Sequence, residues 1–339
     1  MPFMRAAEIR TPGGPFELVE RDLPEPGPGH VRIAVEAAGV CHTDIQFVNL
    51  TLPGLVTPVV PGHEVAGRID AAGEGVSAED WPVGKRVGVG WFGGSCGHCA
   101  ACRAGEFIHC TRLKIPGVAY PGGFATHMVA PVDALAAVPD GLTATEAAPL
   151  GCAGVTTFQA LRRSGARAGD LVAIIGIGGL GHLAVQYAVR SGFRTVAIAR
   201  GEDKRKLAET LGAHHYIDST AEDPAEALLR LGGAQVVLGT AHSSAAMEAG
   251  INGLAADGNL VLAGFTGEAL HVRPTDMAPL TRRVSGHPSG TAFDIEQTMA
   301  FSAFAGVRPM VETFPLAEVG EAVRRMESGA ARFRVVLEP

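Results

Sequence analysis

The sequence predicts an α/β protein with two domains, one rich in short strands and one with a doubly wound parallel sheet. Its 339 residues correspond to two domains of roughly 150 residues each. Near residue 153 the pattern changes from short apolar runs to alternating strand and helix patterns. Glycine accounts for 45 residues, nearly twice its average usage of about 7%. Many tight turns or close backbone contacts follow from that content.

Short strand-like runs separated by turn residues characterise the first 150 residues. Apolar and β-branched residues recur in the segments 31–40, 65–73 and 84–90. A stretch rich in proline and glycine at 23–29 is typical of a rigid surface loop. This part of the chain therefore predicts a β-rich domain with irregular connections.

Strand and helix patterns alternate from about residue 153 onward. A helical stretch to Arg163 is followed by the apolar strand 171–176, and about six strand candidates follow one another up to residue 286. Such alternation is typical of a parallel doubly wound sheet. The tail ends in a further helix and strand, which we interpret as returning to the first domain. We predict one domain from residues 1–152 and 288–339, and a second from residues 153–287.

Composition and charge exclude several classes of protein. The 28 basic and 35 acidic side chains give a formal net charge of −7, which disfavours nucleic acid as a partner. An apolar content of 47% excludes global disorder. The longest nearly apolar run, 171–185, is shorter than the roughly 20 residues of a membrane span, and the first residues do not resemble a secretory leader. We expect a soluble cytoplasmic protein that partners neither membrane nor nucleic acid.

A glycine-rich turn lies between the strand 171–176 and the helix that follows it. Glycines in such a turn let a pyrophosphate approach the backbone at the helix N-terminus. In this context a G-x-G-x-x-G pattern predicts a dinucleotide-binding site, and a turn without a ligand is the alternative. The candidate residues are Gly176, Gly178, Gly179, Leu180 and Gly181.

The residues after the next strand bear on the choice between NAD and NADP. NAD sites normally carry an acidic residue near the end of that strand, which binds the ribose hydroxyls. Ala199 occupies the expected acidic position, and Arg200 and Lys204 offer cationic partners for a 2′-phosphate. NADP is therefore favoured over NAD. In the alternative, Arg200 is a solvated loop residue and Glu202 or Asp203 binds the ribose.

Four cysteines with the spacing C-x2-C-x2-C-x7-C lie within 15 residues. Four thiolates can close a tetrahedral zinc site. An iron–sulfur cluster is the main alternative, but the ferredoxin run has three residues before its last cysteine and a proline after it. Because four thiolates leave no open coordination position, we expect a structural zinc in a lobe of about residues 91–114. The four ligands are Cys96, Cys99, Cys102 and Cys110.

The two remaining cysteines and a histidine indicate a second metal site. His63 lies 22 residues after Cys41, and Cys152 lies at the predicted domain boundary. Two thiolates and one imidazole leave one zinc position open, as in a catalytic zinc that binds an alcohol or carbonyl oxygen. Taken singly, each residue has a structural alternative, because buried cysteines and hydrogen-bonded histidines are common in protein cores.

Together these motifs resemble those of the zinc-dependent alcohol dehydrogenases of the medium-chain dehydrogenase/reductase superfamily. The resemblance covers essentially the full chain. It implies a GroES-like catalytic domain and a Rossmann domain with the active site in the cleft, a nicotinamide cofactor, two zinc ions per chain, and a homodimer or homotetramer. The segments that carry it are residues 39–44, 61–64, the four-cysteine lobe, 150–157 and 176–181.

The resemblance also implies roles for the residues of the second metal site. Cys41, His63 and Cys152 would bind the catalytic zinc. Glu64 would lie beside the zinc as an outer or transient ligand. Asp44 would orient the imidazole of His63, as zinc-bound histidines normally require.

Four further positions match functional residues of the family. Thr43 matches the hydroxyl that accepts the proton of the substrate alcohol, and Trp91 matches an aromatic wall of the substrate pocket. His42 and Arg334 match residues that contact the cofactor phosphates. The family commonly has a histidine three residues after the hydroxyl, where this chain has Gln46. Because glutamine is not a general base, we expect the proton to leave through the ribose hydroxyl and water, or with help from His42.

The reaction that the resemblance implies is hydride transfer between an alcohol and NAD(P), with aldehyde reduction as its reverse. Trp91 and the short chain favour primary alcohols, aliphatic or aryl. A polyol or secondary-alcohol dehydrogenase is the alternative within the superfamily. From another class, the cysteine lobe could be the zinc ribbon of a redox-sensing or binding protein, which the sparse basic residues around it disfavour.

Overall fold

The computed structural model describes residues 3–339, and the chain divides into two compact units. One unit contains the chain up to Val155 together with Ser289–Pro339, and the other contains Thr156–Pro288. The boundaries expected from the sequence fall up to three residues before these positions. Within residues 3–339, every helix is too short or too polar to cross a membrane.

The described residues form fifteen strands and eleven α-helices. The strands are β1 (Phe3–Glu8), β2 (Glu17–Asp22), β3 (His30–Val40), β4 (Val65–Ala72), β5 (Arg86–Val89), β6 (His127–Pro131), β7 (Ala136–Ala137), β8 (Leu171–Ile175), β9 (Arg194–Ala199), β10 (His215–Asp218), β11 (Ala234–Gly239), β12 (Leu254–Leu262), β13 (Arg283–Gly286), β14 (Val311–Pro315) and β15 (Arg334–Glu338). The helices are α1 (Asp44–Val48), α2 (Ala100–Arg103), α3 (Ala144–Pro149), α4 (Val155–Arg163), α5 (Gly181–Arg190), α6 (Arg205–Thr210), α7 (Pro224–Arg230), α8 (Ser244–Glu248), α9 (Pro274–Met277), α10 (Ala292–Ala305) and α11 (Val319–Glu327).

Shorter helical turns complete the secondary structure. A π-helical turn, Leu150–Gly154, connects α3 to α4. The 3-10 turns are Phe107–His109, Val132–Ala134, Ile251–Gly253, Ala278–Leu280 and Leu316–Glu318.

The first unit is built on a mostly antiparallel sheet of seven strands. Its order is β14-β15-β3-β4-β5-β7, with β6 also paired to β3, while β1 and β2 form a separate ribbon. The segments predicted as strands at 31–40, 65–73 and 84–90 are β3, β4 and β5, so the prediction of a β-rich domain is confirmed. Buried and half-buried residues alternate along the first part of β3, and its last four residues are all buried. The chain therefore enters the core as it leaves β3.

The second unit contains a parallel sheet of six strands in the order β10-β9-β8-β11-β12-β13. Numbered within the unit, this is the order 3-2-1-4-5-6 of a doubly wound dinucleotide-binding sheet. All five residues of the central strand β8 are buried, as expected for a sheet covered on both faces. The predicted parallel sheet is thus confirmed. Helix α5 begins at Gly181, where the predicted glycine-rich turn ends.

Candidate active site

Two neighbouring strands bring Cys41 and His63 together. β3 ends one residue before Cys41, and β4 begins two residues after His63. The strands pair antiparallel, and the amide of Gly39 donates to the carbonyl of Glu64 at 2.7 Å. The residues that leave β3 and enter β4 therefore lie side by side.

Cys152 reaches the same place on the π-helical turn Leu150–Gly154. Such turns are rare and often occur at functional sites. The turn packs on the end of β5 through two glycines, since a Cβ atom on Gly90 would lie 2.2 Å from the carbonyl oxygen of Gly151. The missing side chain at Gly90 thus allows the turn that carries Cys152 to approach the strand.

The four candidate ligands of the second metal site converge. One ligand atom each of Cys41, His63, Glu64 and Cys152 lies within 4.8 Å of all the others. The first three residues are buried and Cys152 is half-buried. Ligand atoms of a tetrahedral zinc lie about 2.0–2.3 Å from the ion and hence roughly 3–4 Å apart. The cluster therefore fits one zinc ion.

His63 offers an unsatisfied buried nitrogen to this cluster. The ring is fully buried, and neither of its nitrogens has a hydrogen-bond partner within residues 3–339. Nδ1 lies 3.6 Å from Oδ1 of Asp44, whose Oδ2 accepts from the amide of Cys41 at 2.8 Å. A buried polar atom without a partner costs about 1–3 kcal/mol. Zinc at Nε2 would remove that cost, with Asp44 on the other side of the ring.

The buried thiols and the imidazole shift one another's ionisation. A hydrogen bond from the Cys152 thiol holds the pKa of Cys41 well below its usual value, and the same pairing raises the pKa of Cys152. Burial by itself would lower the pKa of His63, but Asp44 and Cys41 raise it well above its usual value. One thiolate is therefore favoured before a metal binds, and zinc binding would release the remaining protons.

Glu64 forms a buried ion pair with Arg334. Nη2 of Arg334 donates to the two carboxylate oxygens at 2.5 and 2.7 Å, and to the carbonyl of Val40 at 3.1 Å. Burial raises the pKa of Glu64 to about 7, although Arg334 opposes the shift. Arg334 thus lies against a candidate zinc ligand, a contact that the sequence did not indicate. Its contact with the cofactor phosphates stays a prediction.

Two aromatic rings flank His63. The ring of Trp91 meets it edge-on, with centroids 5.1 Å apart, and the ring of Phe47 stacks on it at 6.2 Å. Trp91 was selected from the sequence, but Phe47 was not. In the sequence, Phe47 is distinguished only as an apolar residue shortly after the segment 41–44. Such residues are too common for this pattern to identify a functional position.

The remaining candidate residues after Cys41 lie just before and within the helix α1. Thr43 directly precedes the helix, is half-buried, and does not use its side chain to cap it. His42 and Gln46 are exposed. The hydroxyl, the imidazole and the amide thus sit on one short segment beside the candidate metal site.

The four cysteines of the lobe also converge. Their sulfurs lie 3.5–4.0 Å apart in the pairs Cys96–Cys102, Cys99–Cys102 and Cys99–Cys110. A tetrahedron of sulfurs at about 2.3 Å from zinc has edges of about 3.8 Å, so the lobe fits a zinc ion. Backbone hydrogen bonds, first from His98, lower the pKa of Cys96 to about 5, whereas burial raises the pKa of Cys102 to about 11.

The glycine-rich turn of the second unit has the geometry of a dinucleotide site. Gly176 has φ of 93°, a conformation that favours glycine. A Cβ atom on Gly181 would lie 1.7 Å from the carbonyl oxygen of Gly176, so the helix can approach the strand only without a side chain there. A Cβ atom on Gly178 would meet open space. The turn therefore leaves room for a pyrophosphate at the N-terminus of α5.

The segment after β9 carries the residues that bear on the choice of cofactor. Ala199 ends the strand and is half-buried, and Arg200 is exposed. Lys204 Nζ donates to the carbonyl of Ile177 at 2.9 Å, which ties this segment to the glycine-rich turn. Glu202 pairs with Arg205, whose Nη2 lies 2.9 Å from Oε1 of the glutamate.

Family models match both units of the chain. Residues 27–140 match the alcohol dehydrogenase GroES-like domain, and residues 179–303 match the zinc-binding dehydrogenase domain. Alcohol dehydrogenase patD of Penicillium expansum is 39% identical over 333 residues, which cover 98% of this chain and 97% of that protein. An alcohol dehydrogenase of Geobacillus stearothermophilus is 38% identical over 337 residues, covering 99% of each.

A solved structure shows the same fold. CAD from Helicobacter pylori, complexed with NADP(H), is 26% identical and matches with a TM-score of 0.87 over 99% of this chain and 98% of that one. Full-length relatives, both family models and the two convergent ligand sets agree. The chain belongs to the zinc-dependent alcohol dehydrogenases of the medium-chain dehydrogenase/reductase superfamily, oxidoreductases that act on alcohols with zinc and a nicotinamide cofactor.

Proposed function

We propose that this enzyme oxidises primary alcohols, aliphatic or aryl, and reduces the corresponding aldehydes, with NADP preferred over NAD. The observation that carries the proposal is the buried cluster of Cys41, His63 and Cys152, whose ligand atoms lie within 4.8 Å of one another and of a Glu64 oxygen. Two thiolates and an imidazole leave a coordination position for substrate. Zinc in this cluster would supply Lewis acidity, which acidifies an alcohol and polarises a carbonyl.

The chain's own residues hold the site and move the proton. Oδ1 of Asp44 lies 3.6 Å from Nδ1 of His63, where it would orient the ring once zinc binds, and the Glu64–Arg334 pair keeps a second carboxylate close to the ligands. The Thr43 hydroxyl, which does not cap α1, accepts the proton of the substrate alcohol. A bound nicotinamide cofactor would supply the hydride acceptor for alcohol oxidation and the hydride donor for aldehyde reduction.

The proton then leaves Thr43 by a route that bypasses Gln46. An amide side chain has no basic nitrogen, so Gln46 cannot take the proton. The exposure of His42, the residue before Thr43, supports a share for this imidazole in passing the proton to water. A ribose hydroxyl of a bound cofactor would offer a second acceptor for the proton.

A second, structural zinc belongs in the cysteine lobe, which makes two zinc ions per chain. Four thiolates saturate a tetrahedral ion, so this metal takes no part in substrate binding. Backbone hydrogen bonds to the sulfurs of Cys96 and Cys110 support thiolates at these two positions.

Residues at the end of β9 support the preference for NADP. Ala199 presents no carboxylate to repel a 2′-phosphate, and the exposed Arg200 offers a charge-assisted partner. Glu202, one of the two acids that could bind a ribose instead, is engaged by Arg205. These contacts weigh against the alternative in which Glu202 binds the ribose of NAD.

The polarity of the substrate is suggested by the aromatic ring beside the zinc ligands. Trp91 is half-buried and meets His63 edge-on, so an apolar wall stands next to the proposed zinc. Such a wall suits the apolar group of a primary alcohol better than the hydroxyls of a polyol.

Initial velocities with benzyl alcohol and ethanol, each against NADP and NAD, test the proposal before and after treatment with a zinc chelator. We expect NADP-linked turnover that the chelator abolishes and added zinc restores. Sorbitol and 2-butanol serve as comparison substrates. Faster turnover of sorbitol or 2-butanol would contradict the assignment of primary alcohols as substrates. Faster turnover with NAD than with NADP would contradict the cofactor preference. Turnover that resists the chelator would contradict the catalytic zinc.

A further inference from the structure

The segment between β9 and α6, residues 200–204, is held by two side chains of the neighbouring strand β10. The amide of Gly201 donates to Oδ1 of Asp218 at 2.7 Å, and the carbonyl of Gly201 accepts from the hydroxyl of Tyr216. β10 pairs with β9 in parallel, with Asp218 opposite Ala199. Both backbone polar groups of one loop residue are therefore fixed by the adjacent strand.

The two residues that hold Gly201 are themselves buried. Tyr216 is 8% exposed and Asp218 is 7% exposed. Oδ1 of Asp218 also accepts from the amide and the hydroxyl of Thr220, at 2.9 and 2.7 Å. Hydrogen bonds from Thr220 and Gly201 hold the pKa of Asp218 below its usual range, so the acceptor is a carboxylate at neutral pH.

Gly201 is where the chain turns directly after Arg200. Its φ is 73°, a conformation that side chains rarely adopt, although a Cβ atom there would meet open space. The turn therefore needs glycine for its backbone conformation and not for room. Arg200 is exposed and directly precedes this turn, so the hydrogen bonds of Gly201 anchor the backbone next to it.

Tyr216 acts on the charges of the same segment as well. The guanidinium of Arg205 lies 4.8 Å above the Tyr216 ring and pairs with Glu202. The tyrosine ring thus supports the arginine that holds the carboxylate of Glu202. The carboxylate of Glu202, two residues after Arg200, therefore remains paired with Arg205.

We propose that Tyr216 and Asp218 are positioning residues for cofactor specificity: by holding Gly201 they direct Arg200 at the 2′-phosphate and thereby set the preference for NADP. Neither residue touches the cofactor in this proposal, which rests on the cofactor preference proposed above. A rigid segment lowers the ordering cost when the phosphate binds. NAD lacks that phosphate and gains nothing from the arrangement.

Dissociation constants of NADP and NAD, measured by fluorescence titration of the zinc-loaded enzyme, test this role in Tyr216→Phe. The variant removes one hydroxyl and keeps the ring beneath Arg205. We expect the affinity for NADP to fall about three- to tenfold, as for loss of one hydrogen bond, while the affinity for NAD stays within about twofold.

Arg200→Ala supplies the coupling test. In that background Tyr216→Phe should leave the ratio of NADP to NAD affinity unchanged, because the arginine it positions is gone. Thr210→Val is the matched control: it removes a hydroxyl that donates to the carbonyl of Lys206 within α6 and does not contact Gly201, so the ratio should not move.

Equal losses for both cofactors in Tyr216→Phe, or an undiminished effect in the Arg200→Ala background, would overturn the positioning role. If the unaltered enzyme binds NAD as tightly as NADP, the cofactor preference proposed above is wrong. The positioning role is then decided separately. It holds if Tyr216→Phe changes the ratio of NADP to NAD affinity in the unaltered background but not in the Arg200→Ala background.

Discussion

Single residues decide whether the buried cluster binds zinc, and Cys152 is the sharpest test. Cys152→Ser keeps the size of the side chain but replaces a thiolate ligand with a weak one. We expect turnover to fall more than about 100-fold, since Lewis-acid stabilisation contributes several kcal/mol. Metal analysis should show a fall from two zinc ions per chain to one.

Far-UV circular dichroism and the melting temperature serve as the control for Cys152→Ser. The fold should remain, because the cysteine is half-buried on a turn whose backbone bonds are unchanged. Full activity together with two zinc ions per chain would contradict the assignment of Cys152 as a ligand.

The residue that ends β9 provides a test of cofactor choice. Ala199→Asp places a carboxylate where the ribose is expected, which repels a 2′-phosphate and accepts hydrogen bonds from ribose hydroxyls. We expect the ratio of kcat/KM for NADP over NAD to fall by about tenfold or more. Ala168→Asp adds the same charge before the N-terminal end of β8, whereas Ala199 lies at the C-terminal end of β9, and should leave the ratio unchanged. An unaltered ratio in Ala199→Asp would mean that the ribose lies elsewhere.

At the scale of elements, the cysteine lobe depends on its metal. α2 has four residues and the 3-10 turn Phe107–His109 has three, so neither is stable by itself. Cys99→Ala should remove the structural zinc and lower the melting temperature by more than about 5 °C, because metal-binding energy is folding energy in such lobes. Zinc analysis should still find one ion per chain. An unchanged melting temperature with two zinc ions would contradict a structural site.

The contact between β5 and the π-helical turn is a second element-scale test. Gly90→Ala would place a Cβ atom 2.2 Å from the carbonyl oxygen of Gly151, which must move together with Cys152. We expect weaker zinc binding by Cys41, His63 and Cys152, and a changed absorption spectrum of the cobalt-substituted enzyme.

Gly88→Ala is the matched control in the same strand. Its Cβ atom would meet the flexible end of Met299 at 3.0 Å, so the π-helical turn need not move. If Gly88→Ala and Gly90→Ala lose zinc equally, strand stability and not the contact with Gly151 governs metal binding.

At the scale of the whole molecule, we propose that the enzyme assembles as a homodimer or homotetramer. Light scattering should give a mass of two or four times the 35.0 kDa of one chain. The mass should not depend on cofactor, since the proposed site residues belong to a single chain. A monomer with full turnover would contradict the proposed assembly.

The sequence by itself determined those features whose residues are close together in the chain. The six-stranded parallel sheet, the turn at Gly176–Gly181 and the four-cysteine lobe were all predicted, because strand and helix periodicity and short ligand spacings are local properties. The helix α10 was not predicted. Apolar side chains occur around its whole circumference, so its start is signalled mainly by the capping box of Thr291 and Asp294.

Only the tertiary structure decided how distant residues meet in the metal site. The sequence indicated Cys41, His63 and Cys152 through a family resemblance, but strand pairing and a π-helical turn bring their ligand atoms together. The pair of Arg334 and Glu64 joins residues 270 positions apart, and no local pattern encodes such a contact. The same holds for Tyr216 and Asp218, whose contacts with Gly201 exist because β10 lies beside β9. The sequence shows which types of ligand are present, whereas the distances between the ligands, their burial and their charge partners arise only when the sheets form.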